Sequence, residues 1–317
     1  MAASDDGADF VLERVFEAPR ELVFAAWTEP AHLAEWWGPF GYSTRATVDA
    51  RAGGAYELVM RNAAGDEYPM RGVYREFVAN ERIVYTAELR GHPDAWYGAV
   101  DPTGAIARDA YDHVTTVTFE SLAPRRTRVT IRTRFQSQAV RDALAKHGMR
   151  HGWGQSLDKL DAKIASDAPE RELVQVREYE APRERVWAAV TEPAELAKWW
   201  GPSGFTLTTI EHDLRPGGAW QYVMHGPDGA SYPNKSIYTE VKKPERLAWK
   251  QAGGKEDGKG VHFVATLTLV ERDGKTLLTL RQRFESPDDR AFVVTTHKAI
   301  EGGVQTFTRL QQHLARV

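Results

Sequence analysis

The chain has 317 residues, of which 42% are hydrophobic and 27% charged, a composition typical of globular proteins with enough apolar material for two cores. Its formal net charge of -3 gives no support to a nucleic-acid-binding function. The absence of cysteine excludes disulfides, thiolate metal sites and a cysteine nucleophile. No apolar stretch approaches the ~20 residues of a membrane helix, and the first nine residues lack a signal-peptide pattern. We therefore expect a cytoplasmic protein with a frayed tail at residues 1–8.

The first half of the chain predicts one strand, two short helices, several strands and a long helix. Residues 10–16 alternate apolar and charged side chains, as a half-buried strand does. Pro19 favours the start of a short helix, and a second helix at 30–37 is ended by Gly38-Pro39. Two glycines at 53–54 precede a strand with Tyr56, Leu58 and Met60 on its inward face. Further strands are predicted at 72–77, 83–89, 114–120 and 128–135, and a long helix at 138–165.

The second half repeats the first. Residues 17–21, 28–31 and 36–39 recur almost unchanged at 180–184, 191–194 and 199–202. Because the repeat unit is long, it indicates a duplicated domain rather than a solenoid. We predict domain 1 at 9–165, a linker at 166–171 and domain 2 at 172–317.

Domain 2 adds two clear local signals. Asp273-Gly274 lies between two alternating segments and predicts a tight hairpin turn. The predicted helix at 288–315 has an apolar stripe formed by Ile300, Val304, Phe307, Leu310 and Leu314. One helix cannot fill a strongly curved sheet of about six strands, so we expect a gap between sheet and helix in which a ligand binds.

Several motifs occur twice in the same order. They are Trp-Trp-Gly-Pro at 36–39 and 199–202, Gly-Gly at 53–54 and 217–218, Gly72-Val73-Tyr74 with Ile237-Tyr238, Asn80 to Ile83 with Pro244 to Leu247, and Gly152-Trp153 in the first copy. This pattern resembles the START-like (SRPBCC) superfamily with its helix-grip fold. Within it, the chain is similar to the family named for the C-terminal domain of activators of the heat-shock-protein-ninety ATPase.

The resemblance implies an α+β fold class with two tandem helix-grip domains. Each is a curved antiparallel sheet around a long C-terminal helix, with two short helices. The family's eukaryotic namesakes bind a chaperone, and superfamily relatives bind lipids, hormones or polyketides, with a minority of cyclases and hydrolases. The second copy departs from the first, because Ser236 replaces Gly72, Gly303 replaces Trp153, and the segment before the last hairpin is shorter.

The tryptophan pairs Trp36-Trp37 and Trp199-Trp200 have two interpretations. Their indoles either plug one end of the domain or stack on a ligand at the pocket mouth. Adjacent helical residues diverge by about 100°, so one indole can plug while the other lines the cavity. The double glycines serve the backbone, because no phosphate-binding loop pattern surrounds them.

Other polar candidates lie on the last strand and the last helix. His147 and His297 occupy equivalent positions, and His297 is expected to face the sheet beside Ile300, as a pocket-lining group; a surface position is the alternative. His147 and His151 have a metal-ligand spacing, but no third ligand is evident and no metal is expected. Thr133 and Gln282 are expected to point inward, with the neighbouring arginines on the convex face.

Residues 90–112 form a long segment that is either a lid or a surface excursion, and domain 2 has only the stretch 253–260 in its place. The expected ligand-binding residues are Trp36, Trp37, Tyr56, Met60, Trp96, Thr133, His147, Trp153, Trp199, Trp200, Trp220, Tyr222, Met224, Gln282, His297 and Ile300. No catalytic motif and no cofactor signature are present.

Three functions remain open. The first is binding of a small, largely apolar molecule, such as a lipid or an aromatic or polyketide-like compound, in each domain. The second is a co-chaperone-like module that contacts a chaperone ATPase. The third is a cyclase or hydrolase of a hydrophobic small molecule, with a pocket histidine or tyrosine as general acid or base.

Overall fold

The computed structural model describes residues 7–165, 169–251 and 262–316. The predictions for the tail at 1–6, for the stretch 253–260 and for linker residues 166–168 lie outside these ranges. The chain divides into two compact units, Met1–Ala165 and Ser166–Val317, which are called domain 1 and domain 2 below. Within the described ranges, no helix is both long enough and apolar enough to span a membrane.

Domain 1 contains one seven-stranded antiparallel sheet with the order β1-β7-β6-β5-β4-β3-β2. Its elements are β1 Asp9–Phe16, α1 Arg20–Thr28, α2 Pro30–Trp36, β2 Tyr42–Val48, β3 Ala55–Asn62, β4 Glu67–Val78, β5 Arg82–Ala87, α3 Asp94–Val100, a 3₁₀ turn Arg108–Tyr111, β6 His113–Ala123, β7 Arg126–Arg134, α4 Gln138–Lys146 and α5 Met149–Ile164. The sequence missed β2, an edge strand rich in polar residues without clear alternation.

Domain 2 repeats this topology in the order β8-β14-β13-β12-β11-β10-β9. Its elements are a 3₁₀ turn Pro169–Arg171, β8 Glu172–Tyr179, α6 Arg183–Thr191, α7 Pro193–Trp199, β9 Thr206–His212, β10 Ala219–His225, β11 Ser231–Lys242, β12 Arg246–Gln251, β13 Phe263–Arg272, β14 Lys275–Phe284, α8 Pro287–Thr295 and α9 Ala299–Leu314. The predicted α+β fold class, with two curved antiparallel sheets and C-terminal helices, is confirmed.

The long C-terminal helix is interrupted in both domains, contrary to the prediction. In domain 1 the helix breaks where Gly148 adopts a left-handed conformation with φ 91°. In domain 2 Lys298 takes that conformation, with φ 51°. Because of the break, the two parts of the helix bury different faces. The second part packs its apolar stripe on the sheet, and in α5 this stripe includes Leu157 and Leu160.

The middle of β4 is packed too closely for a side chain at one position, Gly72. Gly72 pairs with Tyr56 across β3 and β4, and the Tyr56 hydroxyl donates a 2.7 Å hydrogen bond to the carbonyl oxygen of Thr86. A Cβ atom at Gly72 would overlap that oxygen and lie 2.9 Å from the Tyr56 ring. In domain 2 the equivalent Ser236 is accommodated, and its hydroxyl donates to Gln251 at 2.9 Å.

We predict that Gly72→Ala lowers the free energy of unfolding of domain 1 by about 2 kcal/mol, because the methyl group forces backbone or ring displacement. Urea denaturation monitored by fluorescence measures this change. Gly98→Ala is the matched control, since that helical glycine has open space around its Cβ position, and it should be neutral or stabilising by up to about 1 kcal/mol. Equal effects of the two substitutions would contradict the packing argument.

Candidate functional site

The first tryptophan of each pair is a buried anchor. The indole Nε1 of Trp36 donates a 2.7 Å hydrogen bond to the carbonyl oxygen of Ala26, and Trp199 donates to Ala189 at 2.9 Å. Trp36 is 0% exposed and Trp199 is 1% exposed. Each indole therefore joins the second short helix to the first, which matches the plug interpretation of these two residues.

The loop after each tryptophan pair is fixed from the C-terminal helix. Gly38 and Gly201 adopt positive φ angles of 89° and 108°. In domain 1 the Lys159 ammonium group donates to the Gly38 carbonyl oxygen at 3.0 Å. In domain 2 the Arg309 guanidinium donates to the carbonyl oxygens of Gly201 and Phe205 at 2.9 and 3.0 Å. The loop is thus held at a set distance from the helix in both domains.

Domain 1 encloses a small cavity between its first two helices and strands β3 to β5. The wall side chains are Trp27, Leu33, Trp37, Tyr56, Leu58, Met70, Tyr74, Ile83 and Tyr85. The cavity volume is about 10 Å³, which is the room that a single water molecule needs. All nine side chains are aliphatic or aromatic, so the cavity favours an apolar occupant.

Indole side chains of α1 and α5 pack against each other in domain 1. Trp153 of α5 stacks on Trp27 with ring centroids 6.1 Å apart and an interplanar angle of 16°. It also meets the edge of Trp37 at 5.3 Å. Three indoles therefore pack against one another beside the C-terminal helix.

The ionisable groups in the cavity wall are three tyrosines, and burial raises the pKa of each. The pKa of Tyr74 is raised to about 12, and those of Tyr56 and Tyr85 are raised further. Tyr85 lies within hydrogen-bonding reach of Thr115. Thr115 in turn shares a 3.0 Å hydrogen bond with Thr133. The wall is therefore uncharged at neutral pH.

One buried polar atom of the wall has no hydrogen-bond partner among the described residues. The Nε1 atom of Trp27 is buried and makes no hydrogen bond to any of the described residues. A buried N–H without an acceptor costs about 1–3 kcal/mol. Trp27 is therefore a wall residue with a buried donor for which the described residues supply no acceptor.

The structure brings some of the predicted site residues of domain 1 to this cavity and places others elsewhere. Trp37 and Tyr56 form part of the wall. Met60 packs beneath Gly38, and Thr133 is buried on β7 and points inward, as expected. Sequence reasoning missed Trp27, Met70, Tyr74 and Tyr85; strand alternation was available as a signal for the two tyrosines.

The interior of domain 2 is built from different side chains. Val190 stands where domain 1 has Trp27, and Gly303 stands where it has Trp153. The Gln175 side chain fills the space above Gly303, where a Cβ atom would overlap its amide group. Two smaller residues are thus compensated by a glutamine from β8.

The remaining predicted residues of domain 2 lie in two apolar groups. Trp220 stacks on Tyr222 with centroids 4.0 Å apart, and Trp200 meets Trp220 at 5.2 Å. Met224 packs beneath Gly201. Ile300 belongs to a separate cluster around Phe284, and Gln282 is half-buried on β14.

The predicted orientation of His297 is wrong. His297 is exposed and lies in the helix break before α9, where it meets the Phe292 ring at 5.0 Å. His147 is likewise exposed at the break in domain 1, 6.2 Å from the Trp96 ring. The break turns both histidines away from the sheet. Among the described residues, no group of three or more histidine, aspartate or glutamate side chains could hold a metal ion.

Residues 90–112 fold into α3 and a 3₁₀ turn joined by an aromatic cluster. The cluster consists of His92, Trp96, Tyr97 and Tyr111, with ring centroids 4.5 to 6.4 Å apart. His92 is 7% exposed, and neither ring nitrogen makes a hydrogen bond of good geometry to the described residues. Burial lowers the pKa of His92 to about 4.

We predict that this buried histidine makes domain 1 acid-sensitive. Below about pH 6.5 the unfolded chain binds a proton at His92 that the folded domain does not bind until about pH 4, so the wild type should lose about 2 kcal/mol of stability between pH 7.5 and 5. His92→Phe should reduce this loss, measured by urea denaturation at both pH values. Some dependence should remain, because burial also lowers the pKa of His113.

The matched control is His151→Gln, which replaces an exposed histidine of the same domain. It should leave the pH dependence unchanged. A wild-type and a His92→Phe protein with the same slope would show that His92 is not buried in the neutral form.

Comparison with known proteins identifies the family. The family model described as Activator of Hsp90 ATPase homolog 1-like protein matches residues 17–165 and again residues 180–315. A search of curated proteins found no significant match. Among solved structures, a protein from Nitrosomonas europaea is 31% identical, with 48% of this chain and 97% of its own covered and a TM-score of 0.42. A Mycobacterium smegmatis protein is 31% identical, with 47% and 94% covered and a TM-score of 0.43.

A third structure matches nearly the whole chain. The di-domain ARO/CYC BexL from the BE-7585A biosynthetic pathway is 13% identical, with 96% of this chain and 98% of its own covered and a TM-score of 0.41. These TM-scores are low, and the assignment is carried by the family match, which accounts for a long stretch in each domain. The chain therefore belongs to the family of Activator of Hsp90 ATPase homolog 1-like proteins and contains two copies of its domain in tandem.

Proposed function

We propose that domain 1 binds a small, largely apolar molecule in the cavity between α1, α2 and strands β3 to β5. The proposal is carried by one observation, an enclosed wall of nine aliphatic and aromatic side chains in which the Trp27 indole N–H has no partner among the described residues. Apolar walls with few placed polar groups are typical of small-molecule sites.

The ligand must widen the cavity as it binds. A volume of about 10 Å³ is far below the roughly 150 Å³ of a cavity that holds benzene. The Met70 side chain is expected to move when the ligand binds, because this thioether side chain is flexible and 8% of the residue is exposed. A ligand that buries about 150 Å² of apolar surface gains roughly 4 kcal/mol, which must exceed the cost of this displacement.

The wall also defines the chemistry of the ligand. Its tyrosines stay neutral, since the pKa of Tyr74 is about 12 and those of the other two are raised as well. A charged ligand would have no counter-ion in this wall. The Trp27 N–H favours an apolar molecule that carries one hydrogen-bond acceptor, such as an aromatic ketone.

A second candidate function is a protein-binding module that contacts a chaperone ATPase. It is favoured by the small volume of this cavity, about 10 Å³, because a module of this kind needs a rigid surface and no internal space. The cyclase or hydrolase alternative has less support. No histidine, aspartate or glutamate belongs to the cavity wall, and its tyrosines have raised pKa values.

We predict that acetophenone binds the full chain more tightly than ethylbenzene, which has nearly the same shape but lacks the carbonyl acceptor. One hydrogen bond of about 1 kcal/mol corresponds to about fivefold in affinity. Trp27→Phe should remove this preference and keep the weaker apolar binding. Isothermal titration calorimetry measures both affinities.

Trp96→Phe is the matched control, because Trp96 lies in the aromatic cluster of residues 90–112 and outside the cavity wall. It should preserve the preference for acetophenone. If neither compound nor any longer-chain or polycyclic analogue binds the wild type, the small-molecule proposal fails. Recovery of a chaperone ATPase by the same chain in a pull-down would then support the second candidate.

A further inference from the structure

Domain 2 has an open pocket at the surface, far larger than the cavity of domain 1. It lies between the end of α7 and the last turns of α9, and its volume is about 460 Å³. The lining residues are Lys198, Arg309, Gln312, His313 and Arg316. Three of the five carry a permanent positive charge and none carries a carboxylate.

The carboxylate of Glu195 contacts two residues of this pocket, and it is shared among three basic side chains. Glu195 lies 2.8 Å from Arg185, 2.8 Å from Lys198 and 2.7 Å from His313. Hydrogen bonds from Lys198 and His313 hold the pKa of Glu195 down to about 2. One negative charge therefore serves three bases, and it cannot compensate the two arginines of the pocket as well.

Among the residues that the structure describes, neither of those two arginines has an acidic partner. The guanidinium of Arg309 donates to neutral backbone carbonyl oxygens, which orient its charge without cancelling it. Across the described ranges, Arg316 has no carboxylate within ion-pair distance. The negative end of the α9 dipole amounts to about half a unit charge and offsets only part of this excess.

The equivalent place in domain 1 is closed and nearly neutral. Glu35 stands at the position of Lys198, and Lys163 stands at the position of His313. Their side chains form a 2.9 Å ion pair that is 4–5% exposed. Duplicated domains with the same fold thus differ here, because one buries a neutral pair and the other opens a cationic pocket.

We infer that the pocket of domain 2 binds a compact oxyanion, the phosphate or carboxylate group of a small molecule. The planar guanidinium of Arg316 matches two oxygens of such a group in a fork geometry. The Gln312 amide supplies a further donor, and Lys198 and Arg309 supply charge. This site is independent of the apolar cavity of domain 1.

The experiment is calorimetric titration of the full chain with inorganic phosphate and, in a separate arm, with acetate, at pH 7.5 and constant ionic strength. We expect saturable binding of at least one of them, and the stronger arm identifies the type of oxyanion. Arg316→Gln should weaken that binding by about fivefold to tenfold, since it removes one charge-assisted pair. Arg272→Gln is the matched control, because it removes the same charge from an exposed hairpin position of domain 2.

Binding that is lost in Arg316→Gln and kept in Arg272→Gln supports the inference. It is overturned by the absence of saturable binding in both arms, by unchanged binding in Arg316→Gln, or by equal weakening in the two variants. Arg316 lies beyond the end of α9 and is exposed, so its substitution should leave the unfolding transition of domain 2 unchanged.

Discussion

Each domain depends on one buried hydrogen bond, from a tryptophan indole at the end of the second helix to a backbone carbonyl of the first. In domain 1 this bond joins Trp36 to Ala26, and in domain 2 it joins Trp199 to Ala189. An indole N–H buried without an acceptor is costly, so the bond fixes how the two helices meet. That geometry sends the next residue, Trp37 in domain 1, into the cavity wall. It also presents the following glycine turn to a cation of the C-terminal helix.

The two domains share this anchor and differ in what they build on it. Domain 1 adds Trp27 and Trp153, whose indoles stack on each other. Domain 2 has a valine and a glycine at these places, and Gln175 fills the volume instead. The two domains also differ at the ends of α2 and α7. Domain 1 has the buried Glu35–Lys163 ion pair there, and domain 2 has an open pocket lined by basic side chains. The duplication therefore supplies two frames whose pockets are lined by side chains of opposite polarity.

Two properties of the apolar cavity of domain 1 limit what can occupy it, its lack of charge and its small volume. It contains no charge at neutral pH and almost no free volume, so any occupant has to be neutral and has to displace side chains. Under the proposed function, binding would shift the domain to a wider conformation, and the affinity would include the cost of that shift. The Trp27 N–H favours a ligand with an acceptor, because such a ligand satisfies a group that has no partner among the described residues of the closed domain.

The sequence by itself determined the duplication, because the motifs of the first half recur in the second. It also determined most of the strands and the Asp273-Gly274 hairpin turn, because these signals are local and need only neighbouring residues. It allowed different roles for Trp36 and Trp37 without choosing between a plug and a ligand contact. Tertiary structure alone decided the cavity wall, since Trp27 and Tyr85 come from elements far apart in the chain and meet only when the sheet curves. It likewise decided that His297 faces outward, because a left-handed residue interrupts the helix whose periodicity had placed it inward. The apolar periodicity of a sequence predicts which face of an unbroken helix or strand is buried. The point at which such an element breaks depends instead on the surfaces that its two parts must cover.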